Sequence, residues 1–223
     1  MLELPDKKAA ETDGLCLHGN FPSSCPTCLA DIAATRERLK AHLADYLGLK
    51  TPEEAERIRF IRGADLPDTY NSQYLFLHDE RLANVMIAVI PDELWVKGKV
   101  PSESSAERGL ISVRASYFKG AGKDIRDPSA WMTHELAHCQ CYFDLDKDEE
   151  KYKNDAETPA FNDIEVDTYP NNKIEEGAFA AQFVYLKSKG VERAKVTEFL
   201  KEFYDDKAFR FLNKILDRVY GHE

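Results

Sequence analysis

The stretch Trp131-Met132-Thr133-His134-Glu135-Leu136-Ala137-His138 decides the fold and the chemistry that this sequence predicts. Its last five residues form the pattern H-E-x-x-H. Residues four apart on a helix share one face, so His134 and His138 can direct two imidazole nitrogens to one metal ion. Glu135 projects about 100° around the helix from His134, which brings its carboxylate near that ion without making it a ligand. The spacing therefore predicts a zinc site with a general base beside it.

The residues around the motif predict that it is helical. Asp127 can cap the helix, and Pro128 suits its first position. One face carries an apolar stripe, which consists of Met132, Leu136, Cys139 and Phe143. Cys141 shares the face of the histidines, but a helix rises about 10 Å between positions 134 and 141, so Cys141 cannot join both histidines on one ion. We therefore expect a core thiol at Cys139 and a thiol near the site at Cys141.

A zinc ion in a catalytic site needs a third protein ligand. A later predicted helix, which begins near Lys173, carries two adjacent carboxylates, Glu175 and Glu176. If this helix packs beside the first, either carboxylate could reach the histidines. Glu175 could instead close a capping box that begins at Asn172, and Glu176 could be solvated.

With these residues in place, the chain resembles the gluzincin metallopeptidases. In that family a glutamate on a later helix joins the H-E-x-x-H helix, often in the form E-x-x-A, and Glu175 and Ala178 match that form. The resemblance covers roughly residues 75 to 190 and is strongest to the compact gluzincins of bacteria and phages. The chain departs from the family at Phe179, where many gluzincins carry an Asp or Asn that orients a metal-binding histidine.

The resemblance implies an activity and a set of roles. His134, His138 and Glu175 would hold Zn²⁺, and Glu135 would be the general base of a zinc metallopeptidase that acts on a protein or peptide substrate. Iron, cobalt or manganese would also suit such ligands. A substrate strand is expected to pair with an exposed sheet edge near residues 110–118. Tyr142 and Tyr169 are candidates for stabilising the transition state only because they lie near the site in sequence.

Apolar patterns on either side of the motif predict an α+β layout, and the resemblance to the gluzincins implies that the fold is zincin-like. Strands are expected at 74–77, 85–90 and 110–118, a short edge segment at 94–96, and a loop at 101–108. Helices are expected from Asp31 to Leu49, from Thr51 to about Arg62, and at 174–189, 191–204 and 208–220. The acidic stretch 144–169 is predicted to be a long loop. The small, mostly antiparallel sheet should pack on the H-E-x-x-H helix, with a helical C-terminal part after it.

A second group of metal-ligating residues lies near the N-terminus. Its members form C-x-H and C-x2-C halves, and they are Cys16, His18, Cys25 and Cys28. The C-x2-C half can grip a tetrahedral ion from a tight turn, so this segment could be a zinc knuckle. It could also be a loose segment with reduced cysteines, or a redox pair without its usual βαβ context. Residues 1–30 are therefore predicted to be a separate segment, and residues 31–223 the metallopeptidase domain.

The charge and composition of the chain limit the classes of partner that it is expected to bind. The 223-residue chain has a net charge of −10, which argues against binding nucleic acid or an anionic membrane surface. No apolar run approaches the roughly 18–20 residues of a membrane span, and Met1–Thr12 has no apolar core of a secretory signal. We therefore expect a cytoplasmic protein, and its oligomeric state is left open.

Two further functions fit the same residues. The N-terminal cluster and the acidic surface would also suit a non-catalytic, zinc-stabilised binding module. Alternatively, the thiol of Cys16, Cys25 or Cys28 could occupy the open metal position and keep a peptidase latent. An open catalytic site should bind a hydroxamate, whereas the closed site of a binding module should not. If the N-terminal thiol keeps a peptidase latent, removal of residues 1–30 should raise its activity.

Overall fold

A four-stranded sheet precedes the H-E-x-x-H helix in the computed structural model of the chain, which is α+β as predicted. The structure describes residues 26–67, 70, 76–96, 102–105, 108–118, 128–144 and 173–221. Its main elements are α1 Pro26–Tyr46, α2 Pro52–Glu56, β1 Arg59–Arg62, β2 Met86–Ile90, β3 Ser102–Ser105, β4 Leu110–Arg114, α3 Ala115–Phe118, α4 Pro128–Asp144, α5 Lys173–Ser188, α6 Arg193–Phe203 and α7 Asp206–Tyr220.

The sheet is mixed, with the order β1-β2-β4-β3. β2 and β4 pair in parallel at its centre, and β1 and β3 flank them in antiparallel pairings. All five residues of β2 are buried, as the apolar run before Pro91 predicts. β4 begins where it was predicted, but it ends at Arg114, and the rest of the expected strand forms the short helix α3.

β3 shows that the prediction of a loop at 101–108 is wrong. Its sequence, Ser-Glu-Ser-Ser, has no apolar alternation, so the period of two that marks a half-buried strand is missing. The strand forms because its backbone pairs with β4, with Ser102 opposite Val113. The expected substrate edge near residues 110–118 is therefore also wrong, because β4 lies between β2 and β3, and β3 forms the edge of the described sheet.

β1 lies where the second helix was predicted to continue. The start of α2 is as expected: the Thr51 side chain accepts a hydrogen bond from the Glu54 amide, and the Glu54 carboxylate accepts one from the Thr51 amide. The helix ends at Glu56, however, and the Arg-Phe-Ile-Arg segment of β1 pairs with the buried strand β2. Pairing with a partner strand, rather than local preference, decides the backbone here.

Two other strand predictions are wrong within the described residues. Phe76 has helical backbone, and Leu77 and His78 form a turn in which His78 adopts a left-handed φ of 56°. The segment predicted at 94–96 is not a strand, because Asp92–Leu94 forms a 3₁₀ helix and the two residues after it do not pair.

The helices at the two ends of the chain differ in how well the sequence predicts them. α1 begins at Pro26, before the expected start at Asp31, and Gly48 has a φ of 63° just beyond its end, as a helix stop requires. α5, α6 and α7 begin and end close to their predicted bounds. The chain divides into two compact units, Met1–Gly48 and Leu49–Glu223.

α4 contributes to two apolar clusters. The first joins the sheet to the predicted stripe of α4, and its members include Ile87, Ile111, Met132, Leu136 and Cys139, with Phe143 packed against it. The second joins α5, α6 and α7 to Ala130 of α4, and its members include Phe179, Phe183, Phe199, Leu212 and Ile215. α4 is therefore held from both sides, which fixes the face that carries the histidines.

We expect Leu212→Ala to lower the free energy of unfolding by about 2–5 kcal/mol, because it opens a cavity in the second cluster. Leu212 is fully buried on α7. Val184→Ala is a matched control, since Val184 is 45% exposed and its loss should change stability by at most about 0.5 kcal/mol. Denaturant titration measures both, and equal losses would contradict the packing described here.

Candidate metal centre

α5 packs beside α4 and presents three buried side chains to it. Glu175, Phe179 and Gln182 occupy positions i, i+4 and i+7, so they lie on one face of the helix. None of the three is more than 8% exposed. The ring of Phe179 meets the ring of His134 edge-on, with 4.5 Å between the centroids. This shared face brings Glu175 opposite the H-E-x-x-H motif.

His134, His138 and Glu175 converge on one point. The Nε2 atoms of the two histidines are 3.1 Å apart. Glu175 Oε2 lies 3.4 Å from Nε2 of His134, and Glu175 Oε1 lies 3.6 Å from Nε2 of His138. A tetrahedral ion with bonds of about 2.0–2.1 Å separates its ligand atoms by about 3.3 Å, so these distances suit a single zinc ion.

The three groups are buried, and burial changes how they ionise. Desolvation lowers the pKa of both histidines, that of His138 to about 4, although Glu175 opposes the shift at His138. Desolvation also raises the pKa of Glu175, against the influence of His138. Two imidazoles and a carboxylate away from water are costly without a compensating charge, and a cation between them would supply it. Neutral imidazole is also the form that binds metal.

Glu135 lies next to this cluster but outside its donor set. Its Oε1 atom accepts a hydrogen bond of 2.8 Å from Ser102 Oγ, and both side chains are buried. Burial raises the pKa of Glu135 to about 7, helped by Glu175 and Glu103, while His134 and Ser102 act in the opposite direction. A carboxylate with a pKa near neutrality suits general acid–base catalysis.

Ser102 is a site residue that the sequence does not reveal. It lies at the start of β3, in the segment predicted to be a loop, and one serine in a polar run carries no signal. β3 packs against α4, and this contact brings the Ser102 hydroxyl to the carboxylate of Glu135.

The structure separates the two candidate glutamates. Glu175 is buried within the cluster, whereas Glu176 is partly exposed and forms a 2.6 Å ion pair with Arg218 of α7. Cys141 is half-buried and is not part of the donor cluster, and Cys139 is fully buried in the first apolar cluster, as predicted.

Several predicted site residues lie outside the described part of the chain. Cys16, His18, Cys25 and Tyr169 belong to this group, as do Asn172 and nearly all of the acidic stretch 144–169. Cys28 lies in α1, and Tyr142 packs at the margin of the first apolar cluster. The second zinc site therefore remains a prediction.

Comparisons with known proteins found no relative. No protein-family model matches the chain, and neither curated proteins nor solved structures gave a match. None of the described helices is long and apolar enough to cross a membrane.

Proposed function

We propose that this protein is a zinc-dependent peptidase with a zincin-like domain of the gluzincin type. One observation carries the proposal: His134, His138 and Glu175 present buried donor atoms that all lie within 4.8 Å of one another, with Glu135 beside them. This set has the nitrogen and oxygen donors of a catalytic zinc site. It also keeps one carboxylate, that of Glu135, out of the ligand set for proton transfer.

Each residue of the site has a separate task in this proposal. His134, His138 and Glu175 hold the ion through Nε2, Nε2 and a carboxylate oxygen. A bound zinc ion would supply Lewis acidity to the attacking water and the scissile carbonyl. Glu135 accepts the proton of the attacking water and passes it to the leaving amine.

Ser102 orients the base. Its hydroxyl donates to Oε1 of Glu135, and we assign the proton transfer to Oε2. Because both side chains are buried, this hydrogen bond restricts the carboxylate to one orientation before substrate arrives. The proposal thus gives β3 a direct part in positioning the catalytic group.

β3 is also the edge on which we expect an extended substrate to pair. Within the described residues, β3 pairs with β4 alone, and it packs against the helix that carries the site. An added peptide strand would gain backbone hydrogen bonds along β3 and would pass close to Glu135. This places the substrate next to Ser102 rather than at residues 110–118.

Metal removal tests the proposal directly. Chelation should abolish cleavage of unfolded protein substrates by the full chain, and added zinc should restore it, because Glu135 alone cannot supply the Lewis acidity that the proposed mechanism needs. Cleavage that persists in metal-free protein would contradict the proposal. Cleavage is followed by the appearance of new amino termini, with zinc content measured on the same samples.

Ser102→Ala should slow cleavage by about 10- to 100-fold, since a hydrogen bond to a charged group contributes about 1.5–3 kcal/mol. Zinc affinity should stay unchanged, because Ser102 is not a ligand. Ser105→Ala serves as the control, because alternate faces of a strand place residues 102 and 105 on opposite sides. If both variants slow cleavage equally, Ser102 does not orient Glu135. Steady-state rates and zinc titration provide the two measurements.

A further inference from the structure

Nδ1 of His134 needs a hydrogen-bond acceptor that the three proposed ligands do not supply. His134 Nδ1 is buried and has no hydrogen-bond partner among the described residues. Neutral imidazole carries one N–H, so a histidine that binds metal through Nε2 must carry its proton on Nδ1. That proton needs an acceptor, because a buried donor without one costs free energy.

Phe179 cannot be that acceptor. It lies one helical turn after Glu175, at the position where an Asp or Asn would orient the histidine in the family that the chain resembles. Its ring packs edge-on against His134 and has no hydrogen-bonding atom. The acceptor must therefore lie elsewhere on the elements that surround the histidine.

Gln182 has the required atom. It lies about one turn beyond Phe179 on the same face of α5 and is only 2% exposed. Its Oε1 atom is buried and, like His134 Nδ1, has no hydrogen-bond partner among the described residues. The Gln182 side chain lies within interaction range of the His134 imidazole, although no hydrogen bond joins the two in this structure.

We infer that Gln182 is a positioning residue for His134, whose Nδ1–H it accepts through Oε1 when zinc binds at Nε2. This inference rests on the zinc site of the proposed function. The hydrogen bond would fix both the tautomer and the plane of the imidazole, as residues that accept the free N–H of a metal-binding histidine do. A neutral amide performs this task without adding another carboxylate to a site that already holds Glu135 and Glu175.

The variants Gln182→Leu and Gln182→Glu test the inference through zinc affinity. We measure it on the full chain by competition with a chelator of known affinity. Leu removes the acceptor and should weaken zinc binding by about 10- to 100-fold. Glu keeps an acceptor and should bind zinc at least as tightly as the wild type, a rescue that a packing role would not produce.

Gln140→Leu is the matched control. Gln140 lies on α4, and its amide donates a hydrogen bond of 2.9 Å to the Leu77 carbonyl rather than contacting a proposed ligand. The substitution also removes one amide hydrogen bond, but it should leave zinc affinity unchanged. If it weakens zinc as much as Gln182→Leu does, general loss of packing explains both effects and the inference is overturned.

Nitrogen-15 NMR of the histidine side chains gives a second readout on the wild type. It tests whether Gln182 accepts the Nδ1 proton of His134 even if Gln182→Leu fails to fold. Zinc-loaded protein should show the Nδ1 proton of His134 in a hydrogen bond, with a nuclear Overhauser contact between this proton and the Gln182 side-chain amide. A proton that exchanges as fast as in an exposed imidazole would contradict the inference. Wild type that binds no zinc at the histidines would defeat the proposed function itself, whereas zinc binding that Gln182→Leu leaves intact would defeat only the role of Gln182.

Discussion

Glu175→Gln should weaken zinc binding by more than about 100-fold, while Glu176→Gln leaves it unchanged. The loss of zinc affinity should exceed the roughly 10–100-fold expected when a residue that hydrogen-bonds to a metal ligand is removed, because Glu175 is itself a proposed ligand. Its carboxylate lies 3.4 Å and 3.6 Å from the two Nε2 atoms, whereas that of Glu176 pairs with Arg218. The two variants differ by one position on the same helix, so helix propensity and overall charge change equally.

Cobalt substitution makes this comparison specific to the proposed site. Cobalt bound by two imidazoles and a carboxylate lacks the intense near-ultraviolet absorption of thiolate ligands, so metal at the N-terminal cysteines is recognised separately. Glu175→Gln should remove only the signal without thiolate character. An equal loss in Glu176→Gln, or none in either variant, would show that the metal is not held at Glu175.

Glu135→Gln should lower the rate of peptide cleavage by about 10²–10⁴-fold and leave zinc bound. The amide has the shape of the carboxylate, and its carbonyl can still accept the hydrogen bond from Ser102, but it cannot take a proton from water. The expected result is therefore a folded, zinc-loaded protein that does not cleave. Single-turnover rates and zinc content on one preparation measure both properties.

Glu103→Gln is the control for this variant. Glu103 lies next to Ser102 on β3, and its carboxylate helps to raise the pKa of Glu135, but it is not assigned to proton transfer. It should retain most of the cleavage activity. Cleavage by Glu135→Gln at the wild-type rate would refute the mechanism, and a non-catalytic binding module predicts no cleavage by the wild type at all.

The sequence predicts those parts of the site that depend on local geometry. His134 and His138 share a face because they are four apart on a helix, and the apolar stripe of α4 fixes which face points to the sheet. The placement of Glu175 beside the two histidines is also predictable, because α5 has a clear helical pattern and packs beside α4. To predict these features, it is enough to know the period of an α-helix and to assume that α4 and α5 are in contact.

The parts that the sequence does not predict depend on pairing between distant segments. β1 (Arg-Phe-Ile-Arg) and β3 (Ser-Glu-Ser-Ser) are short and show no alternation of apolar and polar residues, and both form by pairing with the buried strands β2 and β4. Ser102 therefore reaches Glu135 through a strand that local patterns miss. The role of Gln182 is also not predictable from the sequence, because a single glutamine on a helix indicates no function until the fold places it near His134.

Anomalous scattering at the zinc absorption edge tests the central claim most directly. A crystal of the zinc-loaded full chain should show a peak within about 2.0–2.2 Å of His134 Nε2, His138 Nε2 and a Glu175 carboxylate oxygen. A map with zinc bound elsewhere in the chain and no peak between these three residues would contradict the account.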